Sequence, residues 1–410
     1  MRPRSILSVY QLAARAWLTA AGLSLLLPMS VRLGWWLPLH LTLAGAISLA
    51  ISGAMQNFAL TLTATPAPPL PVVVAQFVLA NAGVALLAIG YPATLGSLVV
   101  VGGACFVAAM LLLGWVVRRA WRKALNKRHP LPIAMYGAAI VAVLIGGTLG
   151  AIVGSRAIDD PTLWLGLRQA HLTLNVLGWV SLTIAGTLVT LLPTVLRVRM
   201  PSWHGVGTAV LLAGGVAAMA VGLGARLASV AAIGGAAYAA GALGVTWLAV
   251  KVMTTPRTWP VPIMAKHFAG AIAWFVVGSL ALVVALLRGL DAFAAFRLPF
   301  LVMFVGGWAV QMLLGAWLYL LPMARPGHPD ERRRQLAVTE LGGTLQLFAL
   351  NAGVALMALA GAGWVSGTVG SAGLGLALGG AAIALVKAWF FPWLAKAPVL
   401  TSRLRGIWGA

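Results

Sequence analysis

The sequence predicts an all-α polytopic membrane protein of about twelve transmembrane helices. Three observations carry this. The 410 residues are 61% apolar and only 8% charged, against roughly a quarter charged in ordinary soluble domains. Apolar stretches of about 20 residues, the length that crosses a bilayer as a helix, recur along the whole chain. Short turns containing Pro, Gly or Arg separate them, and the basic residues concentrate in alternate turns.

In order, the predicted spans are 11–29, 36–58, 70–92, 95–117, 131–154, 170–193, 204–225, 228–250, 264–287, 297–321, 335–361 and 368–394. The first apolar stretch, Ala13 to Pro28, lacks a convincing small-residue cleavage site and is followed by further spans, so it reads as a retained first helix. Residues 396–410 form a basic tail.

The even-numbered connections hold fifteen basic residues, among them Arg118, Arg119, Lys251 and Arg332, against six in the odd-numbered ones. The positive-inside rule then puts both termini on the cytoplasmic side, and a bacterial plasma membrane crossed many times is the expected location. The net charge of +22 sits in loops without interleaved aromatics, which argues against nucleic acid as a partner and leaves membrane lipid. One cysteine, Cys105, excludes an internal disulfide, a four-thiolate cluster and a c-type haem attachment site.

The chain also repeats itself. GWVSLTIAGTLVTLLP at 178–193 matches GWAVQMLLGAWLYLLP at 307–322, and HLTLAGAISLAISG at 40–53 is a looser copy. In the following helix NAGVALLA at 81–88 returns as NAGVALMA at 351–358. The simplest account is one membrane domain of three pseudo-repeats of four helices, about 1–130, 131–260 and 261–396. Helices 2, 6 and 10 then occupy equivalent positions, and residues at one depth on them converge.

Candidate functional residues follow from polar groups inside these spans, where ionisable side chains are expensive. On an ideal helix His171, Asn175, Gly178, Leu182 and Gly186 share one face, a polar pair beside a glycine groove open to another helix or a flat ligand. His40 opens helix 2 as His171 opens helix 6. Neutral imidazole ligates haem iron or copper well, so the two are candidate metal ligands; the structural alternative is that each bonds a backbone carbonyl. His267 lies over Gly270, Trp274 and Gly278, either as a site or as an interfacial histidine facing headgroups. Glu340 shares a predicted helical face with Thr344, Leu347 and Asn351, a track for protons or ions, or else pairs with Arg332, Arg333 or Arg334. The other glutamines and asparagines in the spans read as interhelical hydrogen-bonding groups, and Trp35, Trp36, Trp203 and Trp393 as interfacial anchors.

The stretch around His171, with Asn175, Gly178, Trp179, Gly186 and Pro193, resembles the corresponding helix of haem-copper oxidase catalytic subunits and their nitric-oxide reductase relatives. It is also similar to nitric-oxide-responsive haem and copper membrane proteins. The resemblance implies a subunit I-like bundle, His40 and His171 as cofactor ligands with Asn175, Gly178 and Gly186 beside them, haem b or copper as cofactor, and a copper or cytochrome protein as redox partner. The sequence departs from the pattern where Thr173, Thr190 and Phe300 replace expected histidines, which argues against oxygen reduction or proton pumping. The expected function is therefore haem- or copper-binding, redox or nitric-oxide-related. The alternatives are a proton-coupled secondary transporter with Glu340 or a histidine as its titrating group, and a cofactor-free assembly subunit that binds a partner chain.

Overall fold

The computed structural model describes residues 3–125, 127–199, 205–257, 260–325 and 328–396; the expected basic tail beyond 396, His204 and Trp203 lie outside them. The described residues form helices and turns without a strand. The long helices are α1 (Pro3–Ser24), α2 (Trp36–Thr63), α3 (Leu70–Gly90), α4 (Gly96–Arg122), α5 (Pro130–Gly154), α6 (Pro161–Leu196), α7 (Gly205–Gly224), α8 (Ala228–Thr254), α9 (Ile263–Leu287) and α10 (Arg297–Ala324). A short, highly charged α11 (Pro329–Glu340) precedes α12 (Gly343–Gly361) and α13 (Gly367–Leu394).

Eleven described helices are long and apolar enough to cross a membrane, and the chain is a multi-pass helical membrane protein. The twelfth predicted span differs. α1 begins at Pro3 and ends at Ser24, and with Gln11 and Arg15 in its middle it is not among the eleven. The predicted span 335–361 also divides, because the charged run Asp330 to Arg334 holds α11 apart and Gly342, at φ +61°, turns the chain before α12 begins. Glu340 is consequently not on the helix that carries Thr344, Leu347 and Asn351.

The chain forms two compact units. The first comprises residues 1–190, 202–248 and 279–294; the second comprises 191–201, 249–278 and 295–410. Both invert the usual distribution: large apolar side chains such as Val74, Val78 and Ile233 in the first and Phe348 in the second are exposed, while Gln56, Gln76, Gln311 and Gln346 are wholly buried. That is the pattern of helices solvated by hydrocarbon, whose polar groups must find partners inside the protein.

Three helices widen locally from α to π geometry, at Leu41–Ile47 in α2, Leu174–Val180 in α6 and Val302–Val310 in α10. Each segment contains the glycine of a repeat motif, Gly45, Gly178 or Gly307. A π-turn leaves a carbonyl without its usual amide. In α2 and α6 a serine five residues on supplies the donor: Ser48 Oγ bonds the Leu43 carbonyl at 2.7 Å and Ser181 Oγ the Val176 carbonyl at 2.8 Å. Trp179, 1% exposed, donates its indole N–H to Ser48 Oγ at 2.9 Å and so ties the two widened turns together within the first unit.

Contacts between the first two helices of each sequence repeat recur in register. A methyl group placed on Gly53 would lie 2.5 Å from Tyr10 Cβ, one on Gly186 3.0 Å from Met135 Cβ, and one on Gly315 2.8 Å from His267 Cβ. Two turns away Gly45 meets Trp17, Gly178 meets Ala142 and Gly307 meets Trp274. Hydrogen bonds to the third helix recur in two of the three. Trp17 donates to Asn81 Oδ1 at 2.9 Å as Trp274 donates to Asn351 Oδ1 at 2.8 Å. Likewise Tyr10 bonds Gln76 where His267 meets Gln346.

Ser48→Ala removes both the partner of the Leu43 carbonyl and the acceptor of Trp179, and is expected to cost about 1–3 kcal/mol, more than Thr148→Ala, which removes an exposed hydroxyl bonded to the Leu144 carbonyl of its own helix. Unfolding in mixed detergent micelles checks the order; equal losses would remove the tie from the account.

Candidate functional site

The first unit brings His40 and His171 together. Opposite His171, α5 presents Gly146 and Gly150, spaced by four so that both face α6. A methyl group on Gly150 would strike the His171 ring, and one on Gly146 would lie 2.6 Å from Asn175 Nδ2. The imidazole thus fills space that only glycine leaves. His171 Nδ1 lies 2.7 Å from the Gly146 carbonyl oxygen, so Nδ1 carries the proton and donates it, and Nε2 keeps its lone pair. Asn175 Nδ2 donates to the His171 carbonyl at 2.7 Å and braces the ring edge at 3.1 Å from Nδ1.

His40 has the same tautomer for the same reason. Its Nδ1 donates to the Trp36 carbonyl at 2.8 Å. Its ring lies on Trp36, centroids 4.1 Å apart, and Trp36 lies on Tyr91 at 4.2 Å, all three close to parallel. Trp36 therefore serves a ring stack rather than a simple interfacial anchor, whereas Trp35 and Trp393 are exposed as anchors require. The His40 and His171 rings are 6.5 Å apart between centroids, with planes 9° apart.

Each histidine bonds a backbone carbonyl through Nδ1, the structural alternative, and has Nε2 left over. An Nδ1–H anchored on a carbonyl is the arrangement that orients an imidazole for metal ligation through Nε2. Two metal–nitrogen bonds of about 2 Å, with the ring radii added, span a separation of this size. The donor set fits a metal that needs only two protein ligands; among the described residues no three His, Cys, Asp or Glu side chains gather.

The two histidines are not equivalent in the repeat. The π segments of α2 and α6 start at Leu41 and Leu174, which aligns His40 with Thr173 and not with His171. Thr173 is buried and bonds the Gln169 carbonyl. On α10 the places of His171 and Asn175 are taken by Phe300 and Phe304, which pack on each other at 4.8 Å, with Phe304 against Gly278. Gly178 and Gly186 do face the same way as His171, but Ala142 and Met135 of α5 fill the groove they make. Of the two expected occupants of that groove, the structure has a helix.

The second unit overturns two expectations. His267 is wholly buried and so does not face headgroups. Its Nε2 meets Gln346 Nε2 at 2.8 Å, and Gln346 Oε1 accepts from Lys387 Nζ at 2.9 Å. Lys387, 6% exposed, also donates to the Thr339 carbonyl at 3.1 Å. Glu340 makes no ion pair with Arg332, Arg333 or Arg334; it accepts the Ile263 N–H with both oxygens, at 3.0 and 3.1 Å, and so caps α9. Sequence reasoning missed Lys387, although a lone lysine inside the 28-residue α13 was the available signal. It also missed that the Gly146 and Gly150 spacing on α5 was the seat of His171.

Compared with known proteins, the chain matches no family model and no curated protein.

Gly150→Ala is expected to displace His171 and to cost about 1–3 kcal/mol. In Gly150→Ala/His171→Ala most of that cost should vanish, and a double-mutant unfolding cycle reads the coupling. Burial raises the Glu340 carboxyl above the usual carboxylate range, against the bond from Ile263 and the pull of Lys266 and Lys387. The folded chain therefore holds this proton more tightly than the unfolded one. Its contribution is complete below the ordinary carboxylate value and is lost as pH rises through the raised one. Thermal unfolding of Glu340→Gln across that range should lack this component; a matching pH profile would refute the assignment.

Proposed function

We propose that the protein is a bacterial plasma-membrane metalloprotein that binds haem iron or copper between His40 and His171 and serves redox or nitric-oxide chemistry. The single observation behind this reading is the facing pair of imidazoles, each with Nδ1 committed to a carbonyl and Nε2 left for a ligand. When bound, the metal would supply one-electron chemistry or a site for a diatomic molecule. The chain's own part is to hold two rings in one tautomer at a set separation inside the membrane.

Two protein ligands suit a haem, whose macrocycle supplies four nitrogens, or copper(I), which accepts low coordination. They do not suit an oxidase centre, which needs more histidines than the described residues assemble. The architecture we infer is a tripled four-helix module akin to oxidase subunit I with an incomplete ligand set. The recurring π segments and the contacts recurring between first and second helices support it. On this reading both termini are cytoplasmic and a copper or cytochrome protein exchanges electrons with the site.

The test is absorbance and elemental analysis of protein purified from the membrane in detergent. A Soret band, or about one copper per chain, is expected, lost in His40→Ala and in His171→Ala and kept in His267→Phe. Protein carrying neither haem nor copper, or keeping either in both alanine variants, would end the proposal.

A further inference from the structure

The second unit holds a polar row whose bonding directions are fixed by chemistry alone. A lysine ammonium only donates, so the Gln346 oxygen faces Lys387 and the Gln346 nitrogen must face His267. That nitrogen also only donates, so His267 Nε2 accepts and the ring proton lies on Nδ1. Yet His267 Nδ1 is buried without a partner. A buried N–H left unbonded costs about 1–3 kcal/mol, which points to an acceptor beside it.

The same face of α9 supplies the matching group. Gly270, one turn beyond His267, lies against the Gln311 amide, and a methyl group on it would sit 3.2 Å from Asn351 Oδ1. Gln311 is wholly buried, and neither its nitrogen nor its oxygen has a partner. Three residues of helix rise about 4.5 Å, within the reach of one water making two hydrogen bonds of about 2.8 Å. Two orphaned buried groups of complementary kind are the setting in which internal water is found.

We infer that the second unit contains a one-proton site, shared by Lys387 and His267 through the Gln346 amide, with an internal water joining His267 Nδ1 to Gln311. In one state Lys387 is charged and His267 neutral. If His267 takes a proton on Nε2, two donors would face each other until the Gln346 amide turns over. Its oxygen then accepts from His267 and its nitrogen donates to a Lys387 that has lost its proton. The Nζ–H bond broken and the Nε2–H bond formed balance, and the charge of the pair stays at +1. The charged groups beside it are Glu340 on α11, Lys266 on α9 and Arg325, whose guanidinium lies over Phe391 one turn from Lys387. This site is separate from the histidine pair of the first unit and stands or falls independently of any metal.

The test is nitrogen NMR of the full chain in lipid bilayers, with labelled histidine and lysine and His267 assigned by its loss in His267→Phe. Near neutral pH, His267 should be an exclusive Nδ1–H tautomer in contact with water while Lys387 is charged. Gln346→Leu should lose that exclusivity, and Lys387→Met, which frees the amide to rotate, should lose it too if the first variant does not fold. Gln311→Leu should lose the water contact. An Nε2–H tautomer in the unsubstituted protein, a dry Nδ1, or His267 and Lys387 charged over the same pH range would overturn the site.

Discussion

Hydrocarbon offers no hydrogen-bond partner to a peptide group, and the three widened turns are where that constraint presses hardest. Each π segment displaces the backbone ladder, and whatever it frees must be satisfied from within. The serines that follow the first two segments meet this need with a side-chain hydroxyl, and Trp179 uses one of those hydroxyls again. The third segment has Val310 at the same place and is longer, nine residues instead of seven.

Closeness between helices is the second consequence. Without a hydrophobic driving force between spans, small residues let backbones approach until dispersion and hydrogen bonding hold them. The α5 stripe of Gly146 and Gly150 carries this further than packing requires, because the space it leaves admits an imidazole and its carbonyl anchors it. In the second unit the corresponding place admits phenyl rings from Phe300 and Phe304. Equivalent helix faces thus differ in polarity while keeping their spacing.

Much of the fold was legible in the sequence because span length and composition alone decide it; ten of the predicted spans coincide closely with helices. The misplacements have physical causes. Gln11 and Arg15 make α1 less apolar than its neighbours, and the residues Asp330 to Arg334 form a helix of their own that no hydropathy window separates from α12. The histidine pair was legible from His40 and His171 opening neighbouring motifs, although the matching HLTL strings misalign them by two residues. What no ideal-helix projection can reveal is the π geometry after each histidine. Nor can it reveal which of two polar partners a glutamine such as Gln346 will choose, since that is set by a lysine 41 residues away.

Tyr10 and His267 hold corresponding places beside Gln76 and Gln346. A phenol has one heteroatom, so Val73 and Gln76 both meet Tyr10 at the same oxygen. An imidazole has two, on opposite edges. Codons for tyrosine and histidine differ by one base. One nucleotide therefore separates a side chain that bonds at a single atom from one that bonds at two edges.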